Sequence, residues 1–174
     1  MTLRRCVFID RDDTIAKDVP YCDSPDKFHL FPGIPEQIKR LNDAGFLVIV
    51  ITNQSGIGRG YFTEDTLAKI HEKMKADIEA GGGPLDAIYY CPHTPDEDCN
   101  CRKPRTGLIE AACRDFAIDL ARSWMVGDKA ADIELAKNVH LRAAQFLPKE
   151  ESQLLPGAEF AVRSLSELSS RILA

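Results

Sequence analysis

The 174-residue chain has no run approaching the roughly 18 uninterrupted apolar residues that a membrane-spanning helix requires, which excludes such a span. It has no internal repeat and no low-complexity tract, which excludes a repeat array. It has no excess of basic residues: 22 Lys and Arg stand against 27 Asp and Glu, for a formal net charge of -5. That balance argues against a general nucleic-acid binder, while a phosphorylated small molecule can still be met by a few local cations and a metal. Two arginines lie within residues 1–5, but the apolar run after them stops at Asp10, too short for the apolar region of a signal peptide. The expectation is a soluble cytoplasmic protein without a membrane partner. Nor is any segment long enough for a large lid.

The rest is ordinary globular material, with 44% hydrophobic and 28% charged residues, so wholesale disorder is excluded. The length suits one domain over residues 1–174, which buries roughly 70% of its unfolded surface without disulfide help. Three of the six cysteines crowd together at Cys91, Cys99 and Cys101, which in a reducing compartment reads as a metal site before it reads as disulfides. Cys6, Cys22 and Cys113 read as small core residues.

Buried strands are expected at 5–9, 46–51, 87–90, 123–126 and 141–146, each short, apolar and rich in β-formers. Helices are expected at 34–42, stopped by Gly45, at 63–79, with Thr63 capping alone, and at 106–116, 130–138 and 164–173. Gly81–Gly83 followed by Pro84 reads as a helix-ending loop. Strands alternating with helices imply a parallel sheet covered on both faces, with its site at the carboxyl ends of the strands. Attention therefore falls on the loops after Ile9, Ile51, Tyr90 and Val126.

The first loop, Asp10-Arg11-Asp12-Asp13-Thr14, sets three carboxylates in four residues after a buried strand. Like charges about 4 Å apart in a medium of ε about 20 repel by about 4 kcal/mol per pair, and a divalent cation removes that cost. Oxygen-only ligands favour magnesium. The same run also reads as a solvated turn or an acidic helix cap. The second loop, Thr52 to Gly60, ends a strand with a hydroxyl, small polar residues and glycines. It can set a hydroxyl and backbone N–H groups around an oxyanion, or be a plain glycine-rich loop. The third carries C-x-H-x5-C-x-C, namely Cys91, His93, Cys99 and Cys101, followed by Arg102-Lys103-Pro104. Three thiolates and an imidazole complete a tetrahedral zinc set with no open position, so zinc would fold the loop and aim the cations after it. The alternative is a set of free thiols. The fourth, Gly127-Asp128-Lys129-Ala130-Ala131-Asp132, offers Asp128 as a metal carboxylate facing Asp10, or as a helix cap. Asp132, one turn on, could orient Lys103 or a metal-bound water. His29, His71 and His140 read as structural or exposed.

The order of an aspartate after the first strand, then Thr52, Lys103 and Asp128, resembles the haloacid dehalogenase superfamily of phosphatases from Cys6 to about Ala136. Within it, TNQSGIGRGYFT at 52–63, CPH at 91–93, CNCRKP at 99–104 and MVGDK at 125–129 resemble the D-glycero-D-manno-heptose 1,7-bisphosphate 7-phosphatases and the related histidinol-phosphatases. The resemblance implies an α/β fold with a Rossmann-like three-layer parallel sheet, small cap loops and a zinc loop inserted at 91–101. It implies a phosphatase of bacterial heptose synthesis that removes the 7-phosphate from the bisphosphate. Asp10 would be the nucleophile that forms an aspartyl-phosphate, and Asp12 the general acid and then base. Magnesium would be held by Asp10, the Asp12 carbonyl and Asp128, and zinc by Cys91, His93, Cys99 and Cys101. Thr52 and Lys103 would bind the transferring phosphoryl group. The implied substrate contacts are Arg11, the flap residues Asp18, Val19, Pro20 and Tyr21, then Asn53, Gln54, Ser55, Arg59, Arg102 and Lys129. The partner would be a small phosphorylated sugar, and the chain a monomer.

Two departures from the family pattern stand out. Asp13 occupies a position where the family has Gly, a residue free to take positive φ; Asp tolerates that region better than most. The stretch 135–140 lacks the glycines that end the corresponding helix. Three other functions fit the same residues. One is a histidinol-phosphate phosphatase. Another is a DNA 3'-phosphatase, which shares a TNQ-x-GI-x-RG segment but fits the acidic balance poorly. The last is a non-catalytic sugar-phosphate binder with its site spoiled by Asp13.

Overall fold

The computed structural model describes residues 2–147 and 153–174. Six strands, β1 (Cys6–Ile9), β2 (Leu47–Asn53), β3 (Ala87–Cys91), β4 (Trp124–Gly127), β5 (Arg142–Phe146) and β6 (Phe160–Val162), form one sheet in the order β3-β2-β1-β4-β5-β6. Every neighbouring pair is parallel. Five helices connect or follow them: α1 (Ile34–Asp43), α2 (Glu64–Glu79), α3 (Gly107–Asp115), α4 (Ala130–Asn138) and α5 (Leu165–Leu173).

Successive strand residues point to opposite faces, so each strand feeds two cores. Val7, Ile9, Val48, Val50 and Trp124 pack on one side with the apolar faces of α1, α2 and α5. Cys6, Phe8, Leu47, Ile49, Ile51 and Met125 pack on the other with α3 and α4. Burial on both faces is why these strands read as unbroken apolar runs. Cys6 and Cys22 lie in the two cores, whereas Cys113 is half-buried.

The helix ends follow local chemistry. Thr63 caps α2, its hydroxyl accepting from the Thr66 N–H at 3.2 Å, and Ser164 caps α5 through the Glu167 N–H at 3.1 Å. After α1, Gly45 takes φ 88° while its N–H reaches the Asn42 carbonyl and the Phe46 N–H reaches that of Leu41. After α4 the same pair of bonds runs from His140 to Lys137 and from Leu141 to Ala136. There the exposed His140, at φ 58°, fills the left-handed position that glycine usually takes. The missing glycines thus leave helix termination intact.

Most boundaries shift by a residue from the sequence reading, and three differences matter more. β2 continues past its apolar run through Thr52 and Asn53, which pair with Tyr90 and Cys91 of β3. Thr52 and Asn53 are therefore ladder residues at a strand tip, not loop residues. β3 includes Cys91 for the same reason. β6 carries only three residues, too few for a periodic signal, and was not foreseen.

On leaving β1 the chain makes an excursion from Lys17 to His29 that closes on its own stem. Ala16 bridges Leu30, the Lys17 N–H donates to the His29 carbonyl at 3.1 Å, and the Phe31 N–H to the Ile15 carbonyl at 2.9 Å. It carries the flap residues Asp18 to Tyr21 and is one of the small cap loops expected from the resemblance.

Candidate active site and metal centres

β1 is flanked by β2 and β4, so the direction in which strands are added reverses between β1 and β4. A crevice at the carboxyl ends of the strands is expected at that reversal. The register fixes what lies there. Ile9 is level with Val126, and the Asp10 N–H donates to the Val126 carbonyl at 2.9 Å. Asp10 and Asp128 thus leave adjacent strand tips together. Gly127 is required by close approach: a Cβ there would stand 2.2 Å from Asp132 Oδ2.

Asp10 is 4% exposed, which excludes a solvated turn. Its Oδ1 accepts from the Arg11 N–H at 2.8 Å and lies 2.8 Å from Lys103 Nζ. Lys103, also buried, sits 2.6 Å from Asp132 Oδ1 and donates to the Ile51 carbonyl at 2.9 Å. Its three donors are thereby all committed. Burial alone would favour the neutral amine, but Asp10 and Asp132 outweigh it and raise the pKa, so the ammonium is locked on. Asp132, 1% exposed, is itself pushed up to about 6 by burial, with Lys103 opposing.

Asp12 lies two residues on. Its Oδ1 accepts from Arg11 Nε at 3.0 Å and its Oδ2 from Gln54 Nε2 at 2.9 Å. Gln54 Nε2 also donates to Thr52 Oγ1 at 2.8 Å, and Gln54 Oε1 accepts from Arg11 at 3.1 Å. Burial is the main cause raising the Asp12 pKa; Asp10 adds to it and Arg11 opposes it. An upward shift is the direction a general acid needs.

Asp10, Asp128 and Asp132 bring one oxygen each within 4.8 Å of one another. Asp132 is occupied on both oxygens, by Lys103 at Oδ1 and by the Lys129 N–H at Oδ2, 3.1 Å away. Asp10 and Asp128 remain for a cation. The N-cap of α4 is Lys129, so Asp128 is not a helix cap; it faces the site and meets the Thr14 hydroxyl at 3.5 Å. Burial, then the charges of Asp10 and Asp132, push Asp128 up to about 7 against the pull of Lys129. A buried, oxygen-only set whose members repel one another fits a hard divalent cation such as magnesium.

Two hollows meet here. The smaller, about 60 Å³, is lined by Asp10, Asp12, Thr52, Asn53, Lys103, Lys129, Ala131 and Asp132. The larger, about 310 Å³, is walled by Arg11, Asp12, Asp18, Val19, Pro20, Tyr21, Asn53, Gln54, Ser55 and Lys129, with Cys22, Gly56 and Phe62. The last three were not singled out from sequence. Phe62 packs so closely on Gly56 that a Cβ there would lie 2.2 Å from its ring, a contact that only folding reveals. Two of the expected substrate residues do not line either hollow. Arg102 donates to the His93 carbonyl at 3.2 Å, and the exposed Arg59 stands 6.0 Å from the Tyr21 ring. The glycine-rich loop also departs from expectation. The N–H groups of Gln54, Ile57, Gly58, Arg59, Gly60 and Tyr61 are spent on carbonyl oxygens, those of Gln54 and Gly58 on Cys91 and Pro92. Those six are closed to an oxyanion, and from this loop the Thr52 hydroxyl and Asn53 reach the small hollow.

The second cluster sits at the tip of β3. Cys91 Sγ is 3.1 Å from Cys101 Sγ and 3.7 Å from Cys99 Sγ, and His93 Nδ1 is 3.2 Å from Cys101 Sγ and 3.5 Å from Cys91 Sγ. No thiol pair approaches the roughly 2.05 Å of a disulfide, and four donors converging on one point suit tetrahedral zinc. Burial works against the Cys99 thiolate, yet the N–H groups of Arg102 and Cys101 point at it and lower its pKa to about 7. The cluster is coupled to the active site. The Lys103 N–H donates to Asn53 Oδ1 at 3.0 Å, and Asn53 Nδ2 returns a bond to the Lys103 carbonyl at 3.3 Å.

Comparisons with known proteins agree with this geometry. Residues 5–151 match the model of the family described as polynucleotide kinase 3 phosphatase. The probable D-glycero-D-manno-heptose-1,7-bisphosphate 7-phosphatase of Thermoplasma volcanium is 44% identical over 138 residues, covering 79% of this chain and 94% of the relative. The histidine biosynthesis bifunctional protein HisB of Legionella pneumophila is 38% identical over 84% of this chain, which spans 41% of that longer protein. The structure of D,D-heptose 1.7-bisphosphate phosphatase from B. bronchiseptica, complexed with magnesium and phosphate, superposes with a TM-score of 0.87 at 32% identity, covering 97% of this chain and 98% of that one. From the fold, the paired strand-tip carboxylates and these relatives together, the chain belongs to the polynucleotide kinase 3 phosphatase family of the haloacid dehalogenase superfamily, in its branch of D-glycero-D-manno-heptose 1,7-bisphosphate 7-phosphatases.

Proposed function

We propose that this chain hydrolyses the 7-phosphate of D-glycero-D-manno-heptose 1,7-bisphosphate with magnesium, through a phosphorylated Asp10. The observation that carries this reading is the pair of adjoining hollows. The smaller suits one phosphoryl group against Asp10, and the larger, polar one suits a sugar bearing a second phosphate. Their shared walls, Asp12, Asn53 and Lys129, stand where the scissile bond would lie.

The residues divide the work as follows. Asp10 is held at Oδ1 by Lys103 and the Arg11 N–H, while Oδ2 takes no hydrogen bond among the described residues and is the attacking atom. Its attack on phosphorus forms the Asp10–phosphate bond as the ester oxygen leaves. Asp12, whose pKa burial raises, gives a proton to that oxygen. The resulting Asp12 carboxylate then takes a proton from the water that attacks the phosphoryl group, which releases phosphate and restores Asp10. Arg11 and Gln54 fix the Asp12 carboxyl in place. Thr52 offers its hydroxyl to a phosphoryl oxygen, and Lys103, with no spare donor, contributes charge. Asp10, the Asp12 carbonyl and Asp128 would hold magnesium, which when bound offsets the repulsion between a phosphate dianion and a carboxylate. Cys91, His93, Cys99 and Cys101 would hold zinc, which anchors the segment that carries Lys103. This reading also takes the enzyme to be a cytoplasmic monomer acting on a small phosphorylated sugar.

One relative, the histidine biosynthesis bifunctional protein, favours a histidinol phosphate substrate as a second reading, and the family model favours a 3'-phosphorylated polynucleotide. A net charge of -5 weighs against the polynucleotide. Steady-state phosphate release with magnesium, measured on the heptose bisphosphate, histidinol phosphate and a 3'-phosphorylated oligonucleotide, decides among them. The expected result is a kcat/KM at least 100-fold higher for the bisphosphate. A preference for either other substrate overturns the substrate assignment while keeping the chemistry.

A further inference from the structure

Asp13 has no place in the mechanism, yet it is firmly placed. It takes φ 55°, its N–H donates to the Ala16 carbonyl at 2.8 Å, and its Oδ1 accepts from the Asp18 N–H at 3.1 Å. Asp18 is the first of four flap residues that wall the larger hollow, and Tyr21, at φ 51°, is the last of them. The far end is tied as well. The Tyr21 ring meets the ring of Tyr61, next to the hollow-lining Phe62, edge-on at 4.5 Å, and Arg59 stands beside it. The Cys22 N–H closes a turn onto the Val19 carbonyl at 3.0 Å. The wall is therefore a short span between two anchors, and Asp13 is the side chain at its base.

We propose that Asp13 is a positioning residue that holds the Asp18–Tyr21 wall against the hollow, and so sets affinity for substrates that extend beyond the reacting phosphate. The proposal rests on the hollow being the subsite for the body of the substrate. On this account the carboxylate that replaces the usual glycine is a fixed strut for the flap and not a defect. It accepts a backbone N–H from a backbone conformation that Asp can hold.

Two variants separate the strut from the charge and from the backbone. Asp13→Gly keeps the positive φ but loses the acceptor. Asp13→Asn keeps both the acceptor and the conformation but loses the charge. With Asp13→Gly, the KM for the heptose bisphosphate is expected to rise roughly fivefold, the worth of one hydrogen bond, with kcat nearly unchanged. The KM for p-nitrophenyl phosphate, too small to need the wall, should stay put, and amide exchange at Asp18 should quicken. Asp13→Asn should match the wild type in all three. An unchanged bisphosphate KM in Asp13→Gly, an equal rise for p-nitrophenyl phosphate, or an Asp13→Asn shift as large as that of Asp13→Gly would each overturn the proposal. If the wild-type chain fails to turn over the bisphosphate, the substrate reading falls by itself. Exchange at Asp18 then decides the strut, quickened in Asp13→Gly if it exists and unaltered if it does not.

Discussion

The acidic cluster at the tips of β1 and β4 and the thiol–imidazole cluster at the tip of β3 both gather metal-ligand groups within a few ångströms. They differ in what the groups face. In the acidic cluster, Asp10 lines a hollow that opens into a larger one, and the ammonium of Lys103 lies between Asp10 and Asp132. In the thiol cluster the four donors lie within 4.8 Å of one another and border neither hollow. An open donor set leaves room for a reacting group, whereas a closed one can only hold its loop. The contrast teaches that ligand type names the metal, and the space around the ligands names its task.

The strongest way to break this contrast is at Asp10. Asp10→Asn should lower kcat by roughly 10⁴-fold or more, since on the proposed mechanism it removes the nucleophile. The melting temperature should change little, because Lys103 keeps Asp132. Initial-rate assays and a thermal melt on the same sample check both halves. At the closed cluster the signs reverse. Cys101→Ser should lower the melting temperature by roughly 10 °C, the equivalent of about 3 kcal/mol in a chain of this size. At 15 °C, where the variant stays folded, kcat should remain within tenfold of the wild type. A loss of turnover as complete as that of Asp10→Asn, in folded protein, would erase the distinction.

Asp132 sharpens the contrast, because it lies in the acidic cluster by distance yet serves Lys103. Asp132→Asn should reduce kcat roughly thirtyfold, about 2 kcal/mol, as the lysine loses one of its two carboxylates. Magnesium affinity, read by activity titration, should move less than threefold. Asp128→Asn should instead weaken magnesium roughly tenfold or more. A pH-dependent effect lies outside both clusters. His71 is buried edge-on to Tyr90, and burial, with Arg11 nearby, lowers its pKa to about 3. Below an unfolded pKa near 6.5 the unfolded chain takes a proton that the native chain refuses. Stability is thus complete above that pH and falls as the pH drops toward 3, by at most about 1.4 kcal/mol per unit. His71→Gln should flatten that slope in urea melts between pH 6.5 and 4.

The strands and helices were legible because burial on both faces writes itself as apolar runs and helical faces as spaced ones. Legibility ended where pairing continues through polar residues, as at Thr52 and Asn53, or where a strand is only three residues long, as in β6. Asp10, Asp12, Thr52, Lys103 and Asp128 were legible because unusual residues followed strand ends, and the parallel register then brought those ends together. What the sequence could not convey is direction. Arg102 and Arg59 read like substrate cations, and the folded chain sets them against the His93 carbonyl and the Tyr21 ring, while the N–H groups of Gln54 and Gly58 turn to Cys91 and Pro92. Those outcomes depend on which carbonyl lies nearest after folding. The commitment of Asp132 to Lys103 was one of two open readings, and only the 2.6 Å contact between two buried side chains chose between them.

The most direct test of this division of labour is to strip each metal separately and follow turnover and melting temperature on the same samples. The account predicts that removing magnesium abolishes phosphate release while the melting temperature moves by no more than a few degrees. Removing zinc should lower the melting temperature by roughly 10 °C and leave turnover largely intact while the chain stays folded. Turnover that survives without magnesium, or that vanishes with zinc in folded protein, would contradict it.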